Sequence, residues 1–299
     1  MIRATTLKAI AATSVPCVFF ICFALQAKAN FSENSVQLKY LLKAGEEYVY
    51  SQRTSMKQSV GDMEMSASME AGNDVILLIK EAKEHKYKVE TMFSPLKISI
   101  SGLEQAGFPD TAMTIDAPSS ASEPIMVSED GTIAEEKNKL KEKETGGMVG
   151  NMSATALRQA VKQTLKYVFG PLPDRPISTG EEWAHETSED GTSRDVKITA
   201  KWKYTFAGII DTLGKRCAVI NAKTTSLNME GTVSQTGMKM QVEGDGAASG
   251  RSIVEIANGM SLTGKVAMQI EMRMAVSGQD QMIVPVSMET VNIFTRKIK

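Results

Sequence analysis

Hydrophobic and polar residues alternate along most of this 299-residue chain, with the two-residue period of a β-strand. From residue 195 to residue 206 the even positions, such as Val196 and Phe206, are apolar or aromatic, whereas lysines and threonines fill most odd positions. Because successive side chains of a strand point to opposite faces, this pattern predicts a half-buried antiparallel strand. Similar runs predict further strands over residues 46–60, 63–70, 74–81, 86–93, 216–230, 232–243, 251–257, 260–276 and 281–299.

Short polar links separate these runs. We expect turns at Ala71-Gly72-Asn73, Gly244-Asp245-Gly246 and Asn258-Gly259, with others at residues 61–62, 82–85 and 277–280. Tight turns join antiparallel strands, whereas parallel pairing needs a crossover of about a dozen residues. The links therefore favour antiparallel meanders.

Two segments break the alternation. Residues 134–152 are rich in Glu, Lys and Gly and have little apolar surface to bury, which is typical of a linker or an exposed helix. Residues 153–170 predict an amphipathic helix. Its apolar stripe includes Leu157, Val161 and Leu165, and Gly170 with Pro171 ends it.

The two halves of the chain share a weak internal repeat. Gly45-Glu46-Glu47-Tyr48 recurs as Gly180-Glu181-Glu182-Trp183, and each half later reaches a glycine turn, at Gly131 and at Gly259. We therefore predict a mainly β protein with one long α-helix, built from two related curved antiparallel sheets or half-barrels. The pattern does not separate one continuous sheet from two. The predicted boundaries are 30–133 for the first β unit, 134–152 for the linker, 153–170 for the helix and 171–299 for the second β unit.

The first 29 residues have the pattern of a signal peptide. A short basic start precedes an uncharged, mostly apolar run over residues 9–25. Ala27-Lys28-Ala29 then places small residues at the two positions that a signal peptidase recognises. We expect cleavage after Ala29 and a periplasmic or secreted protein. No later run approaches the roughly 18 apolar residues of a membrane-spanning helix, so no transmembrane segment is expected in the mature chain.

Charge and cysteine content narrow the function classes. The chain has 34 basic and 35 acidic residues, and removing the three bases of the leader leaves a net charge of −4. An acidic chain is not a general nucleic-acid binder, because phosphate contacts need basic residues. Cys217 is the single cysteine outside the leader, so no intramolecular disulfide is expected, and its apolar surroundings predict a buried thiol.

No residue pattern predicts catalysis. The two histidines, His85 and His185, lie far apart in sequence, and Ser94 with Lys97 matches the Ser-x-x-Lys form of β-lactam-binding enzymes without its partner motifs. We therefore expect a non-enzymatic protein with no catalytic residue, no metal ligand and no cofactor.

Methionine is the one residue type that is clearly over-represented in this chain, with 18 methionines after Met1. Many recur at strand spacing, which places each set on one face of a strand. Such a face fits a core filled by soft side chains, an adaptable surface for a lipid, peptide or partner strand, or a Cu(I) site. We predict binding of an apolar ligand or lipid, or of an envelope protein partner. The alternatives are a structural or interaction module whose methionines are all core, and a Cu(I)-binding protein. The candidate residues are Met238, Met240, Met268, Met272 and Met274, with Leu157, Val161 and Leu165 on the wall opposite.

Residues 170–183 carry a resemblance to a known group of proteins. This proline-containing segment leads into a glycine–acid–x–aromatic strand start, with a helix before it and methionine-alternating strands after it. It resembles a stretch in an uncharacterised family of bacterial secreted β-rich proteins, a domain of unknown function. The resemblance implies export and a β fold but no chemistry. A weaker likeness, in shape alone, is to periplasmic half-barrel lipoprotein carriers.

Overall fold

The computed structural model describes residues 35–61, 66–102, 104, 109–117, 124–134, 154–190, 196–235, 238–276 and 282–298. The predicted signal peptide and most of the predicted linker lie outside these ranges. The strands are β1 Glu47–Val60, β2 Ser66–Lys83, β3 Lys86–Phe93, β4 Leu96–Ser101, β5 Thr111–Ile115, β6 Ile125–Ser128, β7 Glu182–Asp190, β8 Val196–Thr212, β9 Lys215–Gln235, β10 Met238–Glu255, β11 Ser261–Val276 and β12 Met282–Lys297. The helix is α1, Ala154–Val168.

The described strands form one open antiparallel sheet, which confirms the mainly β class. Its order is β5-β4-β2-β1-β12-β11-β10-β9-β8-β7, and β3 with β6 continues from β2 as a branch. The first and last strands of the chain pair along most of their length, for example Tyr50 with Arg296 and Val60 with Val286. This pairing joins the two predicted β units into a single sheet. The described strands therefore form one continuous sheet and not two.

Two predicted turns are wrong, because the residues lie inside strands. Ala71-Gly72-Asn73 continues β2, where Gly72 pairs with Arg53 on one side and Lys97 on the other. Gly244-Asp245-Gly246 continues β10 opposite β11. A Cβ atom on Gly246 would lie 2.2 Å from the carbonyl oxygen of Gln269, so glycine here permits a close approach of neighbouring strands. Pairing with neighbouring strands therefore outweighs the local preference of these glycine-containing stretches for turns.

The predicted helix is found and packs against one face of the sheet, which we call the inner face. Val161 and Leu165 are fully buried in the main core with Phe169, Tyr50 and Phe294. Polar contacts fix the helix in place. Thr164 Oγ1 donates to Gln52 Oε1 at 3.2 Å, Asn292 Nδ2 donates to the Tyr167 hydroxyl at 3.1 Å, and the Ser261 hydroxyl donates to the Val168 carbonyl at 3.3 Å.

The repeat of Gly-Glu-Glu-aromatic residues has a matching backbone geometry in both halves. Gly45 and Gly180 each have a φ of 87°, a conformation that favours glycine. The Gly45 N–H donates to Ile79 O at 2.8 Å, and the Gly180 N–H donates to Phe206 O at 2.7 Å. In each half the following glutamate accepts a backbone N–H from three residues before it, at 2.9 and 3.0 Å. The internal repeat is therefore present in the structure as well as in the sequence.

The segment ahead of β1 connects the two repeats. Leu38, Tyr40 and Leu42 are buried in the main core. The Tyr40 N–H donates to Glu129 O at 2.9 Å, next to the Gly131 turn, and the Leu41 N–H donates to Asn258 O at 3.1 Å, next to the Gly259 turn. One stretch of backbone thus bonds to both repeated turns.

Candidate functional site

Half-buried methionines occupy the inner face beyond the helix. Met268 and Met272 of β11, Met229 of β9 and Met288 of β12 pack against a second core cluster, separate from the main core. Met56 of β1 and Met69 of β2 pair directly with each other and extend this surface across the sheet. We call these six residues the methionine face.

Strand register explains why these methionines meet. Met268 lies opposite Thr290, which lies one strand away from Met56, so one row of side chains crosses β11, β12, β1 and β2 and ends at Met69. In a regular sheet, directly opposed side chains lie about 4.5–5.5 Å apart at Cβ. The row is therefore a continuous surface, although its members are distant in sequence.

The second cluster has a filled base and an accessible top. Its base consists of Ala200, Leu227, Ala248 and Ile270, none of which is more than 6% exposed. The four methionines packed against that base, with Ile198 and Trp202, are partly exposed. Unbranched thioether side chains adapt to varied apolar shapes, so this surface can accommodate a flexible hydrocarbon.

Glycines shape the middle of this surface. Gly244 and Gly246 lie opposite Met272 and Ile270. A Cβ atom on Gly244 would lie 2.7 Å from the Met272 Cβ, which is closer than real Cβ atoms approach. The missing side chains allow β10 to approach Met272 and Ile270 of β11 closely.

Charge is strictly partitioned between the two faces of the strands that carry the methionine face. Along the described part of β11 the inward positions from Gly264 to Met274 are uncharged, whereas Lys265, Glu271 and Arg273 point outward. The same alternation holds on β1, β8, β10 and β12. The charged exceptions are Glu255 of β10 and Arg296 of β12, which pair with each other at the opposite end of the face. A ligand on the methionine face therefore meets an uncharged surface.

A cavity of about 270 Å³ adjoins the methionine face beside helix α1. Its apolar lining includes Met69, Phe93, Leu96 and Ile115. Its polar lining includes the amides of Gln52 and Asn73, which lie directly opposite each other on β1 and β2, and Thr54 and Thr164. Met69 belongs to both surfaces, so the cavity opens onto the row of methionines.

The structure separates the two groups of residues predicted to form the site. Met268 and Met272 lie in the second cluster, with Met274 and Met240 half-buried further along the same face. Val161 and Leu165 instead fill the main core and do not face these methionines. The side chains of Met238 and Leu157 lie outside the described part of the chain. A binding role for these residues stays a prediction.

Sequence reasoning missed Met56, Met69, Met229 and Met288 as members of the same surface. No local signal could place them there, because the surface depends on which strands pair and in what register. It also missed the two amides that the sheet contributes to the cavity, since neither Gln52 nor Asn73 stands out within its strand.

A buried ion cluster lies at the opposite end of the inner face. Glu255 accepts from Arg296 Nη2 at 2.5 Å and from Lys215 Nζ at 2.6 Å, and Arg296 also lies over the Tyr48 ring at 5.7 Å. Burial would raise the pKa of Glu255, but the hydrogen bonds from Arg296 and Lys215 outweigh burial and hold this pKa below its ordinary value. All three charges are paired, so the cluster is a structural link between β9, β10 and β12.

Cys217 lies beside this cluster and is fully buried, as predicted. Burial, with the negative charge of Glu255, raises the pKa of its thiol to about 11. A protonated and inaccessible thiol is unreactive. His85 is exposed and pairs with Glu129 at 2.8 Å, and His185 lies exposed on the edge strand β7.

Neither a metal centre nor a membrane span emerges from the described residues. They contain no group of three or more His, Cys, Asp or Glu side chains arranged to hold a metal ion. None of the helices within the described ranges has the length and hydropathy needed to cross a membrane.

Residues 130–261 match a family of unknown function, DUF6263. The match begins at the Gly131 turn, includes the helix and ends at the start of β11. It agrees with the expected resemblance to an uncharacterised family. No curated protein matches the chain.

Solved structures show only a faint likeness. An outer membrane channel from Pseudomonas putida F1 has 8% identity and a TM-score of 0.27, covering 86% of this chain and 97% of that chain. Pseudomonas aeruginosa OpdQ has 7% identity and a TM-score of 0.20, covering 86% and 99%. A DUF1329 family protein from Desulfovibrio piger has 9% identity and a TM-score of 0.13, covering 82% and 84%. Scores this low carry no argument about fold or function.

Proposed function

We propose that this protein binds an apolar ligand, specifically the hydrocarbon chain of a lipid, on the methionine face. The observation that carries the proposal is the row that continues from β11 to β2 on an uncharged surface, in which the partly exposed Met268, Met56 and Met69 are joined by the buried Thr290. A surface needed only for packing would be covered, as it is beneath helix α1, where Val161 and Leu165 are fully buried.

Export completes the proposal. The leader-like sequence of residues 1–29 supports a periplasmic or secreted protein that holds or carries its lipid outside the cytoplasm. A carrier must release its ligand, and an open sheet face with flexible side chains suits reversible binding better than a closed cavity does. No catalytic step is part of the proposal.

Binding of an environment-sensitive apolar dye to the folded protein tests this function. We expect saturable fluorescence enhancement that a long-chain lipid displaces. The double change Met268→Gln and Met272→Gln should weaken dye affinity about tenfold, because it places two amides on the apolar surface, and about 1.4 kcal/mol is tenfold in affinity.

The matched control is Ile283→Gln on the outer face of β12, where Ile283 is 65% exposed. This change should leave dye affinity unaltered. Absence of dye binding, or equal loss in the control variant, would remove the proposal. A protein that binds no dye yet captures a purified envelope protein would instead favour the interaction module.

A further inference from the structure

We propose that the cavity beside helix α1 binds the uncharged ester group of a neutral acylglycerol lipid, while the acyl chain lies along the methionine face. This inference rests on the proposed function and names its ligand class. It joins three observations: two amides paired across β1 and β2 that face one cavity, the absence of basic residues among the described residues that line it, and a methionine shared with the hydrocarbon surface.

The first observation is the amide pair. Gln52 and Asn73 face each other across β1 and β2 and are half-buried. Gln52 Oε1 is occupied by the Thr164 hydroxyl at 3.2 Å, which leaves the Gln52 Nε2 group as a donor. The Asn73 side chain has no hydrogen-bond partner within the described part of the chain. Two N–H donors on adjacent strands can bind the oxygens of a carbonyl or ester.

The second observation concerns charge. Among the described residues that line the cavity, Asp116 alone is charged, and it is acidic and exposed. The carboxylate of a fatty acid or the phosphate of a phospholipid would lie here without a cation. Desolvating an unpaired anion is costly, whereas an ester loses little when amide donors replace water. The lining therefore selects an uncharged polar group.

The third observation concerns size and continuity. A cavity of about 270 Å³ is smaller than the roughly 300–1,000 Å³ of most sites that enclose a whole ligand. It can take the polar end of a lipid but not its chain. Met69 lines the cavity and pairs with Met56, so a chain that leaves the cavity at Met69 passes directly onto the methionine face.

Competition between two lipids with the same acyl chain tests this assignment. A monoacylglycerol and the matching fatty acid, at pH 8 where the acid is ionised, are each titrated against the bound apolar dye. We expect the monoacylglycerol to displace dye at a concentration at least about tenfold lower. The Asn73→Leu variant should lose most of this preference while it still binds the dye.

The ratio of the two displacing concentrations is compared between proteins, because intrinsic differences in lipid solubility then cancel. Asn221→Leu, which makes the same change on the outer face of β9, should keep the wild-type ratio. Asn73→Lys should shift the preference toward the fatty acid. If Asn73→Leu does not fold, as judged by its thermal transition, Gln52→Leu replaces it.

The outcomes separate this inference from the proposed function. An unchanged ratio in Asn73→Leu, or a wild-type preference for the fatty acid, overturns the ester site and leaves lipid binding intact. A folded wild-type protein that binds no dye overturns both.

Discussion

The inner face of the sheet has two regions that differ in how they are covered. Near the ion cluster, helix α1 and the segment ahead of β1 cover it, and side chains such as Leu38, Leu165 and Phe206 are fully buried. Beyond the helix the same strands carry the methionine face, which remains partly exposed. One sheet thus combines a packed core with an accessible apolar surface, and the difference separates what stabilises the fold from what is free to bind.

The ion cluster should give the largest effect on stability. Glu255→Gln leaves the buried Arg296 without its negative partner, which we expect to cost about 3–5 kcal/mol in the free energy of unfolding. Denaturant unfolding at neutral pH measures this. A cost below about 1 kcal/mol would show that the covered region does not depend on this pair.

The same cluster predicts a pH dependence. The pKa of Glu255 is lower in the folded than in the unfolded state, so its contribution is complete above the unfolded-state pKa of about 4.3 and is lost as pH falls through the folded-state pKa. Stability measured from pH 6 downward should fall less steeply in Glu255→Gln than in wild type. Parallel curves would contradict this assignment.

Shortening a helix side chain that packs on the sheet should give the next largest loss of stability. Leu165→Ala removes a fully buried side chain of the main core and should cost about 2–5 kcal/mol. Met272→Ala, on the exposed region, should cost distinctly less, because water and neighbouring methionines fill the space. Chemical denaturation of both variants compares the two regions directly, and equal costs would mean that the methionine face is core.

A substitution at a point of close strand packing should cost less stability. Gly246→Ala places a Cβ atom against the Gln269 carbonyl and should cost about 1–3 kcal/mol through overpacking. Gly214→Ala in the β8–β9 turn is a useful comparison, since there is open space around Gly214 and only its φ of 70° opposes the change. Thermal unfolding that ranks Gly214→Ala as the more damaging would contradict the close approach at β10.

The smallest expected effect is the alkylation of the Cys217 thiol in the folded protein. Cys217 in the folded protein should resist alkylation at pH 8 and react fully in denaturant, because it is buried and its pKa is raised to about 11. Mass spectrometry of the alkylated protein measures this, and rapid modification of the native state would show that the covered region opens.

Alternation along the strands was enough to predict the mainly β fold. The apolar stripe of residues 153–170 predicted the helix, and the recurring Gly-Glu-Glu-aromatic stretch predicted the repeat of Gly45 and Gly180. The sequence pattern failed at Gly72 and at Gly244 with Gly246, because strand pairing outweighs the local preference of glycine for turns. It also failed to show that β1 pairs with β12, since such a contact between distant parts of the chain leaves no local pattern.

The candidate site was predictable only in part. Met268 and Met272 share a strand, so their spacing alone places them on one face. Met56, Met69 and Met288 join them through register alone, and the cavity amides of Gln52 and Asn73 meet only because β1 and β2 align. Helix side chains at Val161 and Leu165 have the pattern of a binding wall, yet tertiary packing places them in the main core.

Methyl NMR of the protein labelled at methionine tests most directly whether the methionine face binds a lipid chain. During titration with a monoacylglycerol, we expect the methyl signals of Met268, Met272 and Met288 to shift together and saturate, while the fully buried Met260 stays unchanged. Signals that remain fixed at all four methionines, or a shift confined to Met260, would contradict a binding role for this surface.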